Sequence, residues 1–138
     1  MKETLRPGAS KTRRLTVDRE RTISFMGEEG RVYATPSLIR DVEGTCRELL
    51  VEHSDAGEES VGMEISLRHL APTLLDMEVE ITAKVVAVDG RKVMFEISAK
   101  DEVEPIATST HTRFVVDVAK RQERLKAKAA KRAAARSA

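Results

Sequence analysis

Tryptophan and asparagine are absent from this 138-residue chain, aromatic residues make up only 3% of it, and it has a single cysteine. Each shortage excludes something. So few aromatic rings leave no platform for stacking bases, which argues against a single-stranded nucleic-acid surface. One cysteine forms no internal disulfide and suits a reducing compartment. The three histidines and Cys46 show no metal-ligand spacing, which rejects zinc; no cofactor is expected. No apolar run is long enough to span a bilayer, and no signal-peptide core is visible near Met1. The expectation is a soluble cytoplasmic protein, with neither membrane nor specific nucleic acid among its partners. Gly-x-Ser-x-Gly and Gly-x-Gly-x-x-Gly are also missing, which removes a serine-hydrolase elbow and a dinucleotide loop.

What is present is an ordinary globular mix, 41% hydrophobic and 34% charged, enough for one domain around one core. The net charge of +1 hides an acidic middle and a strongly basic tail. Residues 1–118 read as the domain and 119–138 as an Ala-, Lys- and Arg-rich helical tail. Within the domain, Met1–Ser10 reads as a loose lead-in. Lys11–Val17 and Thr22–Phe25 are short β-leaning stretches.

The stretch Val32–Leu50 then holds one amphipathic helix. Thr35 is placed to be its N-cap and Pro36 its first residue. Leu38, Val42, Cys46 and Leu49 line one face, with Ile39 and Leu50 widening it. Glu43 falls at the margin of that face. Gly44 lies opposite, where a close backbone neighbour would require it.

Alternating strands follow. Val61, Met63, Ile65, Leu67 and His69 share one face, with Gly62, Glu64, Ser66 and Arg68 on the other. Met77 to Val85 and Val93 to Ala99 alternate likewise, joined by an Asp89-Gly90 hairpin signal. A last strand is expected over Ile106–Val118. Consecutive alternating strands imply an antiparallel sheet with one buried face. The fold class expected is α+β, a curved sheet wrapped around one central helix.

Thr35, Glu43 and His69 are the candidate reactive groups. Two helical turns separate Thr35 from Glu43, so both can lie along one side of the helix. His69 closes the strand face that meets it. Hydroxyl, carboxylate and imidazole together suit hydrolysis by activated water or by a carboxylate nucleophile. Each also has a plain structural reading, as a cap, a solvated acid and a hydrogen-bonded core histidine. His53 is expected in solvent, and His111 either supports the core or flanks a site.

The order of elements resembles the hotdog fold. The spacing of Thr35, Glu43, Gly62 and His69, within Val32-Tyr33-Ala34-Thr35 and Ser60-Val61-Gly62 through Arg68-His69, resembles the fluoroacetyl-CoA thioesterase family. Asp89-Gly90-Arg91 and Ser109-Thr110-His111 fit the same pattern. The resemblance implies a metal-free, homodimeric acyl-CoA thioesterase with Thr35, Glu43 and His69 as catalytic residues. Gly62 would let a thioester approach the backbone, and Arg68 and Arg113 are candidates for the CoA phosphates. The family's aromatic-bearing lid has only Gly27–Arg31 as its counterpart, so a preference for the fluoroacetyl group is not implied. Two other readings stand beside this one. A hotdog hydratase or dehydratase would use Asp or Asn with His, and no matching Asp-x-x-x-x-His occurs. A non-catalytic acyl-CoA-binding module would need none of these groups to be reactive.

Overall fold

In the computed structural model, which describes residues 1–137, an antiparallel five-stranded sheet packs on one long helix. The strands are β1 (Ser10–Thr16), β2 (Glu58–His69), β3 (Glu78–Asp89), β4 (Lys92–Lys100) and β5 (Pro105–Asp117). Helix α1 spans Thr35–Glu52, and α2 spans Val118–Ser137. The strand order is β1-β3-β4-β5-β2, so β2 is an edge strand. The core joins Leu38, Val42, Cys46 and Leu49 of α1 to Val79, Ile81, Ala83 and Val85 of β3 and to Val93 and Phe95 of β4. The alternation in β3 and β4 is therefore as expected. Gly90, at φ +59°, turns the hairpin between them, a conformation open to glycine at little cost.

Four local expectations are corrected. Thr35 is not the cap. Ala34 holds the cap position with extended backbone and no side-chain bond, and Thr35 is the first helical residue. Pro36 still sits within the first turn, where a missing N–H has no helical partner to lose.

The face assignment fails at the start of β2, where a β-bulge lies between Gly62 and Glu64. Because side chains alternate with period two, one inserted residue reverses every facing before it. Met63 is thus exposed, while Ser60 is buried and the Cα of Gly62 faces α1. Ile65, Leu67 and His69, beyond the bulge, keep their expected side.

The lead-in is docked: Leu5 is buried, and the Met1 ammonium pairs with Asp55 and Glu58. Thr22–Phe25 is no strand, because only an isolated bridge joins Thr22 to Tyr33. The connection from β1 to α1 consists instead of two 3-10 turns, Arg19–Arg21 and Glu28–Gly30. No described helix is long and apolar enough to cross a membrane.

Candidate active site

Helix α1 carries two polar stations facing β2 and β5. At its N-terminal end, Thr35 Oγ1 lies 2.8 Å from His69 Nδ1. Freed from capping, the hydroxyl orients the imidazole. His69 Nε2 is buried and has no hydrogen-bond partner among the described residues. Burial pushes the His69 pKa below its ordinary value, with the Ala71 backbone opposing in part, so the ring is neutral at pH 7. Tyr33, itself buried, meets the imidazole edge-on, with ring centroids 6.5 Å apart.

Two turns further on, Glu43 stands against β2 and β5. A Cβ at Gly62 would lie 3.1 Å from Glu43 Oε2, so only glycine leaves the carboxylate this close to the strand. Arg113 NH1 is 3.7 Å from the same oxygen. The sequence offers Arg113 as a candidate for the CoA phosphates. It is instead buried, with Nε bonded to Ser60 Oγ and NH2 to the Ser60 carbonyl, so it faces Glu43 and not solvent. Burial lowers its pKa and Glu43 opposes this, and the guanidinium remains charged.

His111 completes this station. Its Nδ1 lies 2.8 Å from the Glu64 carbonyl, which only accepts, so Nδ1 carries the proton. Nε2 is then free to accept from Arg113 NH1 at 3.3 Å. Stacking on Phe95 holds the ring, and burial keeps it neutral by lowering its pKa.

The expected trio therefore forms one pair and one separate acid. Eight residues of helix place Glu43 about 12 Å along the axis from Thr35. Among the described residues, Glu43 makes no hydrogen bond or ion pair with Thr35 or His69. Arg68 points away from this face and lines a shallow groove with Glu96 and Thr110. His53 is half-buried, with Nδ1 on Thr4 Oγ1 at 2.6 Å. Burial pushes the Cys46 thiol up to about 12, so it is no nucleophile. No cluster of three metal-ligating side chains occurs among the described residues.

Sequence reasoning missed a third polar group, Asp41. It is 4% exposed and accepts from Arg21 Nε at 2.8 Å, Arg21 NH2 at 3.2 Å and the Tyr33 hydroxyl, with Arg13 NH1 at 3.8 Å. Gly44 makes room for that same Arg13, whose NH1 would sit 3.2 Å from an added Cβ; the neighbour is a side chain and not the expected backbone. On the helical wheel Asp41 lies about 60° beyond Leu38, outside the apolar arc, so periodicity alone gives no signal for its burial.

With this geometry in hand, comparison with known proteins is decisive. The family described as fluoroacetyl-CoA-specific thioesterase matches residues 17–119. The chain belongs to that family. It is 29% identical over 127 residues to the fluoroacetyl-CoA thioesterase of Streptantibioticus cattleyicolor, covering 87% of this chain and 91% of the relative. A solved structure of fluoroacetyl-CoA thioesterase superposes with a TM-score of 0.80 at 27% identity, covering 90% of this chain and 97% of the other. A hypothetical protein of Thermus thermophilus, described as a thioesterase superfamily member, gives 0.81 at 27% identity, covering 94% and 96%. The architecture of this family member is thus the hotdog fold.

Proposed function

We propose that this chain is a thioesterase hydrolysing a small acyl-CoA to free acid and CoA, with Glu43, His69 and Thr35 as its working groups. One observation carries the assignment of residues. Glu43 is 40% exposed beside a glycine and a single arginine, while a buried imidazole nitrogen is unpartnered at the other station. As general base, Glu43 takes a proton from water while the water oxygen attacks the thioester carbonyl. The C–S bond then breaks, and the sulfur leaves as thiolate and takes up the proton. As nucleophile, Glu43 instead attacks the carbonyl and expels the thiolate, and water hydrolyses the resulting anhydride. The close approach at Gly62 admits the carbonyl to main-chain N–H donors for the oxyanion. His69, oriented by Thr35, positions the reacting group and assists proton transfer. Arg113 places a positive charge 3.7 Å from Glu43.

The separation of about 12 Å between stations favours a site completed by two chains. Edge strand β2 has unpaired backbone groups, and pairing with a second β2 would cover them. A homodimer would then set Glu43 of one protomer against Thr35 and His69 of its partner. Only Gly27–Arg31 stands where the family has its aromatic-bearing lid, Phe25 lies exposed at the surface of the single chain, and fluoroacetyl is proposed to gain no large preference over acetyl. The cytoplasm is the proposed location.

The test is a panel of acyl- and enoyl-CoAs, following free thiol and enoyl absorbance. Thiol release is expected, and Glu43→Gln should slow it by about 10²–10⁴. A folded Glu43→Gln protein within a few-fold of the parent would refute the role of Glu43. Mixing and refolding Glu43→Gln with His69→Ala should restore about a quarter of parental activity if sites are shared across a twofold dimer. No recovery would place each site within one chain.

A further inference from the structure

Charge is sharply divided along the chain. Residues 1–117 carry 16 lysines and arginines against 22 carboxylates, a net of −6. Residues 118–138 carry eight against one, a net of +7. Helix α2 buries no residue, so it contributes no core packing. Seven of its eight cations fall within an arc of about 160°, along a rod about 30 Å long. Among the described residues, only Lys126 of these cations has a carboxylate partner, Glu123 at 3.4 Å. Such a stripe is costly self-repulsion unless something anionic meets it.

At the base of this helix lies a cavity of about 200 Å³. Arg91, Lys120, Arg121 and Arg124 line it with Phe114 and one acid, Asp117. Asp117 is already engaged by the Lys120 main-chain N–H at 3.1 Å. Arg91 is shared with Glu58 at 3.2 Å, whereas Lys120, Arg121 and Arg124 have no ion-pair partner among the described residues. Phe114 is 37% exposed and offers an aromatic face beside the cations. Cations around one partly open ring suit an aromatic nucleotide bearing several phosphates.

We propose that α2 and the cavity at its base bind the phosphorylated nucleotide of the CoA substrate, an inference that rests on the thioesterase reading above. The domain's charge of −6 would repel so anionic a molecule, and the helix reverses that field where the ligand arrives. Two other occupants fit less well. Val118 and Leu125 are the only large apolar residues of α2, so it has no face to insert into a lipid surface. It has no aromatic residue, so it cannot stack successive bases of a nucleic acid.

The experiment reverses charge in the full chain, with Arg121→Glu and Arg124→Glu together. At low salt, KM for the acyl-CoA should rise about tenfold, within the range attributed to electrostatic steering, with kcat retained. Raising ionic strength should shrink the difference, because exposed charges are screened within about 10 Å at 0.1 M salt. The same acyl group on N-acetylcysteamine, which has no phosphate, should show equal KM in parent and variant. Adenosine 3′,5′-bisphosphate should compete with acyl-CoA in the parent and far less in the variant. Circular dichroism checks that α2 persists, and the milder Arg121→Gln/Arg124→Gln pair should shift KM in the same direction. Unchanged KM for acyl-CoA at low salt overturns the proposal, as does an equal rise for the phosphate-free thioester. Oligonucleotide binding lost in a variant of unchanged KM also overturns it, in favour of a nucleic-acid partner. If the parent hydrolyses no acyl-CoA, the thioesterase reading fails instead. Calorimetry with the bisphosphate then decides the site alone: charge-dependent binding supports it, and none overturns it.

Discussion

Gly62→Ala separates stability from activity. The backbone of Gly62 is not in the left-handed region, so alanine fits its conformation. Glycine within a strand costs about 0.5–1 kcal/mol relative to alanine. The added methyl would meet His111 Cε1 at 3.5 Å and Arg113 NH1 at 3.6 Å, both ordinary contacts. Its one tight contact is Glu43 Oε2 at 3.1 Å, the tip of a flexible, partly exposed side chain. The carboxylate can yield by about 0.3 Å to reach ordinary contact at small cost to the fold. The melting temperature should therefore hold or rise slightly. The reaction does not tolerate the shift as well. A misplacement of 1 Å costs about 10² in rate, so 0.3 Å alone costs about fourfold, and a methyl group where the thioester meets the strand adds to this. We expect kcat/KM to fall about tenfold, measured as thiol release from acyl-CoA beside a thermal melt. In a Glu43→Gln background the same methyl should cost little more, since groups acting as one unit are not additive. Parental activity in Gly62→Ala, or a full additional loss in the double variant, would refute the placement of the reacting carbonyl.

Three further outcomes follow from the same contacts. His69 and His111 both have pKa values lowered by burial, so between the folded and unfolded values the unfolded chain binds more protons. Stability should be complete above about pH 6.5 and fall as pH drops below it; urea midpoints at pH 7.5 and 5.5 would show this, and His111→Gln should flatten the slope. Asp41→Asn should cost about 2–3 kcal/mol in chemical denaturation, discounted because Arg21 and Arg13 keep partial solvent access, and an unchanged midpoint would count against the network. Deleting Lys120 onward should shift the melting temperature by no more than about 4 °C, because α2 buries no residue, and loss of a cooperative melt would show that it docks.

The parts of this molecule legible in its sequence are those governed by period and punctuation. Pro36 marks the first turn of α1, and Leu38, Val42, Cys46 and Leu49 give the buried stripe. Asp89-Gly90 gives the hairpin and strict alternation gives β3 and β4. What was not legible depends on partners distant in sequence. The bulge before Glu64 has no signature within β2, yet it decides that Gly62 rather than Met63 faces the helix. Thr35 looks like a cap because threonine is a common capping residue, and the hydrogen bond that engages it comes from His69, 34 residues away. Arg113 reads as a surface cation until Ser60, 53 residues earlier, supplies a buried cradle. The trio's spacing suggests a common site, but the fold divides it into a Thr35–His69 pair and a separate Glu43.

Two acids on α1, Asp41 and Glu43, differ in how far their oxygens are already occupied. They are two residues apart and flank opposite margins of the same apolar stripe. Asp41 is the more buried, but its oxygens are taken up by the Arg21 guanidinium and the Tyr33 hydroxyl. A carboxylate with its lone pairs occupied neither activates water nor reaches a substrate, so it contributes through position: the Tyr33 ring it anchors meets His69 edge-on. Glu43 accepts no hydrogen bond among the described residues and has one cation at 3.7 Å, too far to occupy its oxygens. Its free lone pairs lie against the only inward position of β2 that carries no side chain. The helix thus offers one carboxylate spent on structure and one left open for chemistry, and the difference lies in how many donors surround each.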